Sequence, residues 1–424
     1  MNARFVTFWR WKQAGLAIIP ARFRVPSVFM TEFQPAKDRP AQAGFTRRIG
    51  IYLLTTSLMA SYGAIFSLLA EIRDLFGFNA AGIGFIGAAA FASGFVAQIG
   101  LARLADTGYG ARMLQIGLAI CIASTAWMIF AESLAAWIVS RGLLGFGAGL
   151  VRPAVRRLIV VEDPLRAGRA LGTLAAFETA GFLVGPVLAA ALNTWFGFEM
   201  TFVALTVLLL LFAPTVLSAE VPAATVQPNR RVVLDLLGKP LMQACLLMGI
   251  AFWITIGLFE AIWAVFLSDL GASQVFIGLT MSLFGIPMVL ISPIAGEQAQ
   301  RLGSMRVATA TLMVAMLCMV SYGFIDNIWW MCLPLLFHAC ADSYTMPATQ
   351  LAVTEASGTD ALAAGQGLFG ATGMLVGALT AALGGVVYDL AGATGLWLGA
   401  SLAMLLLVGG AQLLLARAKP HPNG

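Results

Sequence analysis

Charge is scarce in this chain. Its 424 residues include 25 Lys and Arg and 20 Asp and Glu, 11% in all, where soluble domains carry about 25%. With 60% hydrophobic residues and a mean hydropathy of +0.88, that shortage excludes a soluble globular protein. Histidine is rarer still: His338 and His421 are the only two, and no Cys/His cluster has the spacing of a metal site. No Gly-x-x-x-x-Gly-Lys-Ser/Thr loop is present, which argues against ATP hydrolysis, and no nucleophile-base motif points to an enzyme. The five cysteines all fall in apolar runs, so a disulfide framework is not expected.

What the chain has in abundance is apolar sequence. Twelve runs stand at about 50–70, 81–101, 113–131, 134–152, 169–192, 199–217, 241–266, 275–295, 306–325, 328–350, 364–387 and 394–416. Each is close to the 20 or so residues that a helix needs to cross ~30 Å of hydrocarbon. They are continuous rather than alternating, so the spans are helices and not barrel strands. The expected fold is therefore an all-α integral membrane protein with twelve transmembrane helices in two pseudo-symmetric six-helix bundles. The polar segment 218–240 is the linker between bundles at 49–217 and 241–417, with tails at 1–48 and 418–424.

Basic residues give the orientation. Arg103, Arg112, Arg152, Arg156, Arg157, Arg301 and Arg306 gather with others at one set of loops, and the opposite loops hold acids and only Arg73. Both termini are expected in the cytoplasm, with the chain a multi-pass protein of the cell (inner) membrane. The net charge of +5 is read as this topology and not as a nucleic-acid signal. The first 48 residues are basic and aromatic, without the apolar core of a signal peptide; two readings stand, a segment lying on the inner membrane surface and a start at Met30.

The two halves repeat. "ARLADTGYGAR" at 102–112 and "GEQAQRLGSMR" at 296–306 align at an offset of 194, as do Pro153 and Pro347, and "GFLVGP" at 181–186 matches "GMLVGA" at 373–378. Parallel repeats of this kind belong to transporters that rock two bundles about a central site. From residue 49 to 417 the sequence resembles the major facilitator superfamily. Its loop motif is kept through Leu104, Ala105, Asp106 and Arg112, with departures at Ala102 and Thr107; "RGLLGFGAG" carries Arg141, Gly145, Gly147 and Gly149; and Gly181, Gly185 and Pro186 are similar to a signature typical of proton-driven exporters.

The resemblance implies that Asp106, with Arg112 nearby, latches the two halves on a helix N-terminus, where exposed N–H groups carry about half a positive charge. Gln300 replaces the acid in the second copy, followed by Arg301, so there a tight turn with topogenic arginines is expected instead. Arg141 lies about 10 Å into the fourth helix. The resemblance implies proton transfer or a part in the cavity's field for it; an Arg satisfied by carbonyls is the other reading.

Glu178, Glu260, His338 and Asp342 are further ionisable residues inside spans. His338 and Asp342 share one helix face, and Asp342, near mid-membrane, suits reversible protonation. Glu260 shares a face with Trp253, as an amphiphilic cation site would require. Glu178 lies on the face of Gly181 and Gly185, so it is either a proton-coupling group or an interhelical hydrogen-bonding one. Gly145, Gly147, Gly149, Gly181 and Gly185 read as close-packing positions, and Pro186 as a bend.

The expected function is secondary transport of a small molecule by alternating access, as proton-coupled efflux of an amphiphilic compound. Import of an organic anion or other metabolite, and a non-transporting assembly factor of the same fold, are the alternatives. No cofactor is expected, the proton gradient being the energy source; the partners are the substrate, protons and the bilayer, with no nucleic acid, for a monomer.

Overall fold

The computed structural model describes residues 41–78, 80–226, 229 and 231–418. The expectations for 1–40, including the start at Met30, and for 419–424 lie outside the described residues. Eleven long helices follow one another: α1 (Ala41–Phe76), α2 (Ala80–Leu101), α3 (Gly110–Met128), α4 (Leu134–Glu162), α5 (Ala167–Phe196), α6 (Phe198–Leu210), α7 (Pro240–Ala261), α8 (Gln274–Leu302), α9 (Ser304–Tyr322), α10 (Ile328–Ser357) and α11 (Leu362–Ala418). Short helices at Ala213–Leu217 and Trp263–Asp269 extend α6 and α7, and Val232–Leu237 lies in the linker. No strand occurs among the described residues.

Several helix starts are written in the sequence. Ser133 accepts a hydrogen bond from Ala136 N ahead of α4, Ser273 does so from Phe276 N ahead of α8, and Asn327 caps α10 through Trp329 N and Trp330 N. Each hydroxyl or amide oxygen satisfies a backbone donor that has no partner within its helix. The eleventh and twelfth apolar runs, both within α11, are two helices that meet at a kink at Gly392, whose φ of 66° is open to glycine. With that break, the long helices account for the twelve apolar runs. Among the described residues nine are long and apolar enough to cross a membrane, the last of them, Leu362–Arg417, counted once.

Two hydrophobic cores match the two bundles. One is built mainly on residues 51–221, with Leu58, Leu114, Leu144 and Phe202 among its buried side chains; the other runs through 244–411, with Phe259, Trp263, Met319 and Trp397.

Three expected boundaries move. α1 already begins at Ala41, inside the stretch read as a tail. α8 runs on to Leu302, so most of the second copy of the loop motif is helical. α4 continues to Glu162 and buries Arg156 and Arg157, which the charge pattern had assigned to a loop. A guanidinium can stay in a bundle interior only with a partner, and both have one, as described below.

Candidate functional site

The hydrogen bonds that join the two bundles gather, among the described residues, at the end that carries the linker. Asp106 follows a 3-10 turn at the end of α2 and is fully buried. Its Oδ1 accepts hydrogen bonds from Arg157 Nη1 (2.7 Å) and Ala363 N (2.8 Å), and its Oδ2 from Ala364 N (2.8 Å). Ala363 and Ala364 are in the first turn of α11, so one carboxylate of the first bundle occupies the N-terminus of a helix in the second.

Arg157 reaches further. Its Nη1 donates to Thr359 O (2.6 Å) and its Nε to Pro222 O (2.7 Å), tying the linker and the α10–α11 turn to the same acid. The linker adds Ala224 N to Asp106 O (2.8 Å) and Thr225 Oγ1 to Asp360 Oδ1 (3.1 Å). Burial pushes the Asp106 carboxyl up to about 6, while Arg157 and the two amide groups hold it down. Three donors on two oxygens fit the ionised form, which is acceptor only.

The second copy is a latch too, contrary to the plain turn expected of it. Gln300 Oε1 accepts from Gly168 N (2.8 Å), and its Nε2 donates to Leu165 O (3.0 Å) and Pro164 O (3.3 Å). Gly168 is in the first turn of α5, so the amide holds the helix N-terminus that corresponds to the one held by Asp106. α5 and α8 touch backbone to backbone here: a Cβ on Gly168 would collide with Gly296 O, and one on Gly172 with Ser292 O. Such contact is open only to residues without a side chain.

Arg301 is exposed and pairs with Glu297, which also lies 3.6 Å from Arg169 of α5. Arg112 is exposed as well. Its guanidinium stands 5.6 Å from the Tyr109 ring, and the basic partner of Asp106 is Arg157 instead.

Deeper in the first bundle, Arg141 of α4 is buried over the Tyr62 ring of α1, 4.7 Å from its centroid. Its Nε and Nη1 have no hydrogen-bond partner among the described residues. Glu178 of α5 meets two arginines of α4. Arg152 Nε and Nη2 lie 3.4 Å from Oε1 and Oε2, and Arg156 Nη2 lies 3.7 Å from Oε2. The small residues pack as their spacing required. Gly145 and Gly149 lie against α2, Gly147 against α3, and Gly181 and Gly185 against α1. Pro186 faces Gly63 of α1, and α5 continues through it unbroken.

The second bundle holds a different set. His338 and Asp342 are both fully buried, with Nε2 3.5 Å from Oδ2. Tyr322 of α9 places its hydroxyl 3.1 Å from His338 Nδ1, and Thr255 of α7 has Oγ1 3.5 Å from Asp342 Oδ2. Hydroxyl, imidazole, carboxylate and hydroxyl thus form a row through three helices. The Phe259 and Phe284 rings stand nearly perpendicular to the imidazole at centroid distances of 5.3 and 5.8 Å.

Glu260 is exposed near the far end of α7 and stands apart from this row. Trp253, the expected partner on its face, packs over Gly373 of α11.

Sequence reasoning brought His338 and Asp342 together correctly as neighbours on one face. It missed Tyr322 and Thr255, whose only signal was a hydroxyl within an apolar run. It also missed Arg152, Arg156 and Arg157 as interior groups. Arg152 and Arg156, four residues apart and so on one helix face, were the available sign.

The sequence matches the family model described as Major Facilitator Superfamily over residues 51–262 and 248–424. The chain belongs to the Major Facilitator Superfamily. It is similar to Multidrug resistance protein MdtG of Enterobacter lignolyticus (strain SCF1), 26% identical over 234 residues, which are 53% of this chain and 56% of that one. The same protein of Dickeya zeae (strain Ech586) is 25% identical over 260 residues, 58% and 63% of the two chains. The match therefore spans little more than half the length of these curated relatives.

The fold is similar to that of the human organic anion transporter MFSD10 (TETRAN), with a TM-score of 0.67 at 18% identity, covering 88% of this chain and 100% of that one. It is also similar to that of FucP in the outward conformation, with a TM-score of 0.71 at 13% identity, covering 87% and 98%. This is a multi-pass membrane protein of the superfamily.

Proposed function

We propose that the protein exports a small amphiphilic compound in exchange for protons, by alternating access. The observation that carries this reading is the buried row from Tyr322 through His338 and Asp342 to Thr255. Ionisable side chains inside a membrane bundle are expensive and mark ion or proton pathways. The exporter-type signature at Gly181, Gly185 and Pro186, and the names of the relatives matched over half their length, support export.

The basic residues around Arg103 and Arg301 support a cytoplasmic linker end, so the latches of Asp106 and Gln300 would close the inner gate and leave the site open outward. Both termini would then face the cytoplasm. Opening that gate requires α11 and α5 to leave their capping groups, which makes the two latches the conformational switch.

The test uses proteoliposomes with an imposed pH gradient, following the movement of a panel of amphiphilic dyes. Gradient-driven movement in the wild type, abolished in Asp342→Asn with binding retained, is expected; movement indifferent to the gradient rejects proton coupling. A second reading, import of an organic anion with protons, is favoured by the two unused donors of Arg141. Accumulation towards the alkaline side in the direction of proton flow would select it.

A further inference from the structure

Glu178, Arg152 and Arg156 form a group whose charges do not cancel. Two guanidinium groups face one carboxylate, and it is the only carboxylate paired with either among the described residues. All three are deep: the side chains of Arg152, Arg156 and Glu178 are 13%, 2% and 4% exposed. An ion pair built as a structural clamp closes to about 2.7–2.9 Å, but the contacts here are 3.4 Å and 3.7 Å. Arg156 Nε and Nη1 have no hydrogen-bond partner among the described residues.

A single arginine would suffice to join α4 to α5 through Glu178. The second leaves an excess positive charge and unused donors in a low-dielectric interior, an arrangement costly to keep without a further acceptor. A planar fork of N–H groups is the geometry that recognises carboxylate, sulfonate or phosphate oxygens. Arg152, the most exposed of the three, marks the side from which such a group would enter.

We infer that Arg152 and Arg156 receive an anionic group of the transported compound, and that Glu178 is the internal anion this group displaces. The inference rests on the reading of the chain as a small-molecule transporter and narrows the compound to one bearing an oxyanion. Glu178 then acts as a competitor. It pairs with the arginines while the site is empty and gives up its contacts when the substrate arrives.

The test is thermal unfolding of the full-length protein, purified in lipid-depleted detergent, with benzoate, benzenesulfonate and inorganic phosphate titrated at constant ionic strength. Benzamide serves as the neutral isostere of benzoate, and chloride and phosphatidylglycerol as separate arms. A saturable rise in Tm with at least one of the organic anions, absent with benzamide, is expected. Arg156→Gln should raise the half-saturating concentration at least about tenfold, a loss of about 1.4 kcal/mol. Glu178→Gln should lower it by a similar factor, since it removes the competitor.

A merely structural triad would give the opposite result in Glu178→Gln, with lower stability and no gain in anion binding; that outcome overturns the inference. So does the absence of a saturable response in both the wild type and Glu178→Gln, or a full response to chloride or phosphatidylglycerol alone. Because Glu178→Gln keeps both arginines, the inference stays testable if Arg156→Gln does not fold. Binding is read without a pH gradient, so failure here leaves proton coupling through Asp342 untouched, and failure of coupling leaves the anion response to stand or fall by itself.

Discussion

Asp106 and Gln300 occupy equivalent places in the two repeats and hold equivalent helix ends, α11 and α5, yet one is a buried acid and the other a half-buried amide. The difference follows from what surrounds each. Asp106 meets donors only: Arg157 Nη1, Ala363 N and Ala364 N. Gln300 meets one donor, Gly168 N, and two acceptors, Pro164 O and Leu165 O. A carboxylate suits the first set, and an amide, donor and acceptor at once, suits the second. The residue at the position of Arg157 plus 194 is Leu351, buried in the first core. Acid and base have been neutralised together, and the latch remains as a hydrogen-bonded one.

The largest effect is expected from Asp106→Asn. Its NH2 would face a donor and leave Arg157 buried without a counter-charge, a loss on the order of 3–5 kcal/mol for a buried pair. The linker end should open, seen as faster amide exchange in the first turn of α11. Gly168→Val should come next, since its side chain would run into the backbone of Gly296; overpacking of this kind costs about 1–3 kcal/mol, read as a lower Tm and a separation of α5 from α8 measured by spin-label distances.

Gln300→Ala should cost about 1 kcal/mol, as the loss of a helix cap does, measured by amide exchange at Gly168. Gln300→Glu should be no better than Gln300→Ala, because a carboxylate oxygen would replace the donor now bonded to Pro164 O and Leu165 O. Equal stability of Gln300→Glu and the wild type would break the comparison. Arg112→Ala is expected to change Tm by less than the equivalent of about 0.5 kcal/mol, since that side chain is exposed and stands over the Tyr109 ring.

How much of this was legible depended on which residues carried periodicity. The twelve apolar runs and the repeat at offset 194 follow from composition and spacing alone, because membrane spans must be long and apolar. The faces of His338 and Asp342, and of Gly181 and Gly185, follow from helical spacing. The interior arginines were not read, because a basic residue next to a run end looks like a topogenic charge until the helix is known to continue. The fourth helix was expected to end at 152, and its continuation to Glu162 carries Arg156 and Arg157 into the bundle. Gln300 was misjudged for a related reason: its lost charge was visible in the sequence, but the carbonyl groups of Pro164 and Leu165 that make an amide the fitting side chain were not.

The central claim is that two latches of different chemistry close the same end of the molecule, the charged one bearing more of the load. Amide hydrogen exchange of the full-length protein in nanodiscs tests it most directly, comparing Ala363 and Ala364 with Gly168 in the wild type, Asp106→Asn and Gln300→Ala. Exchange at Ala363 and Ala364 should rise at least about 100-fold in Asp106→Asn, and exchange at Gly168 by less than about tenfold in Gln300→Ala. Equal increases at the two helix ends, or no change at Ala363 and Ala364 when the acid is removed, would contradict the account.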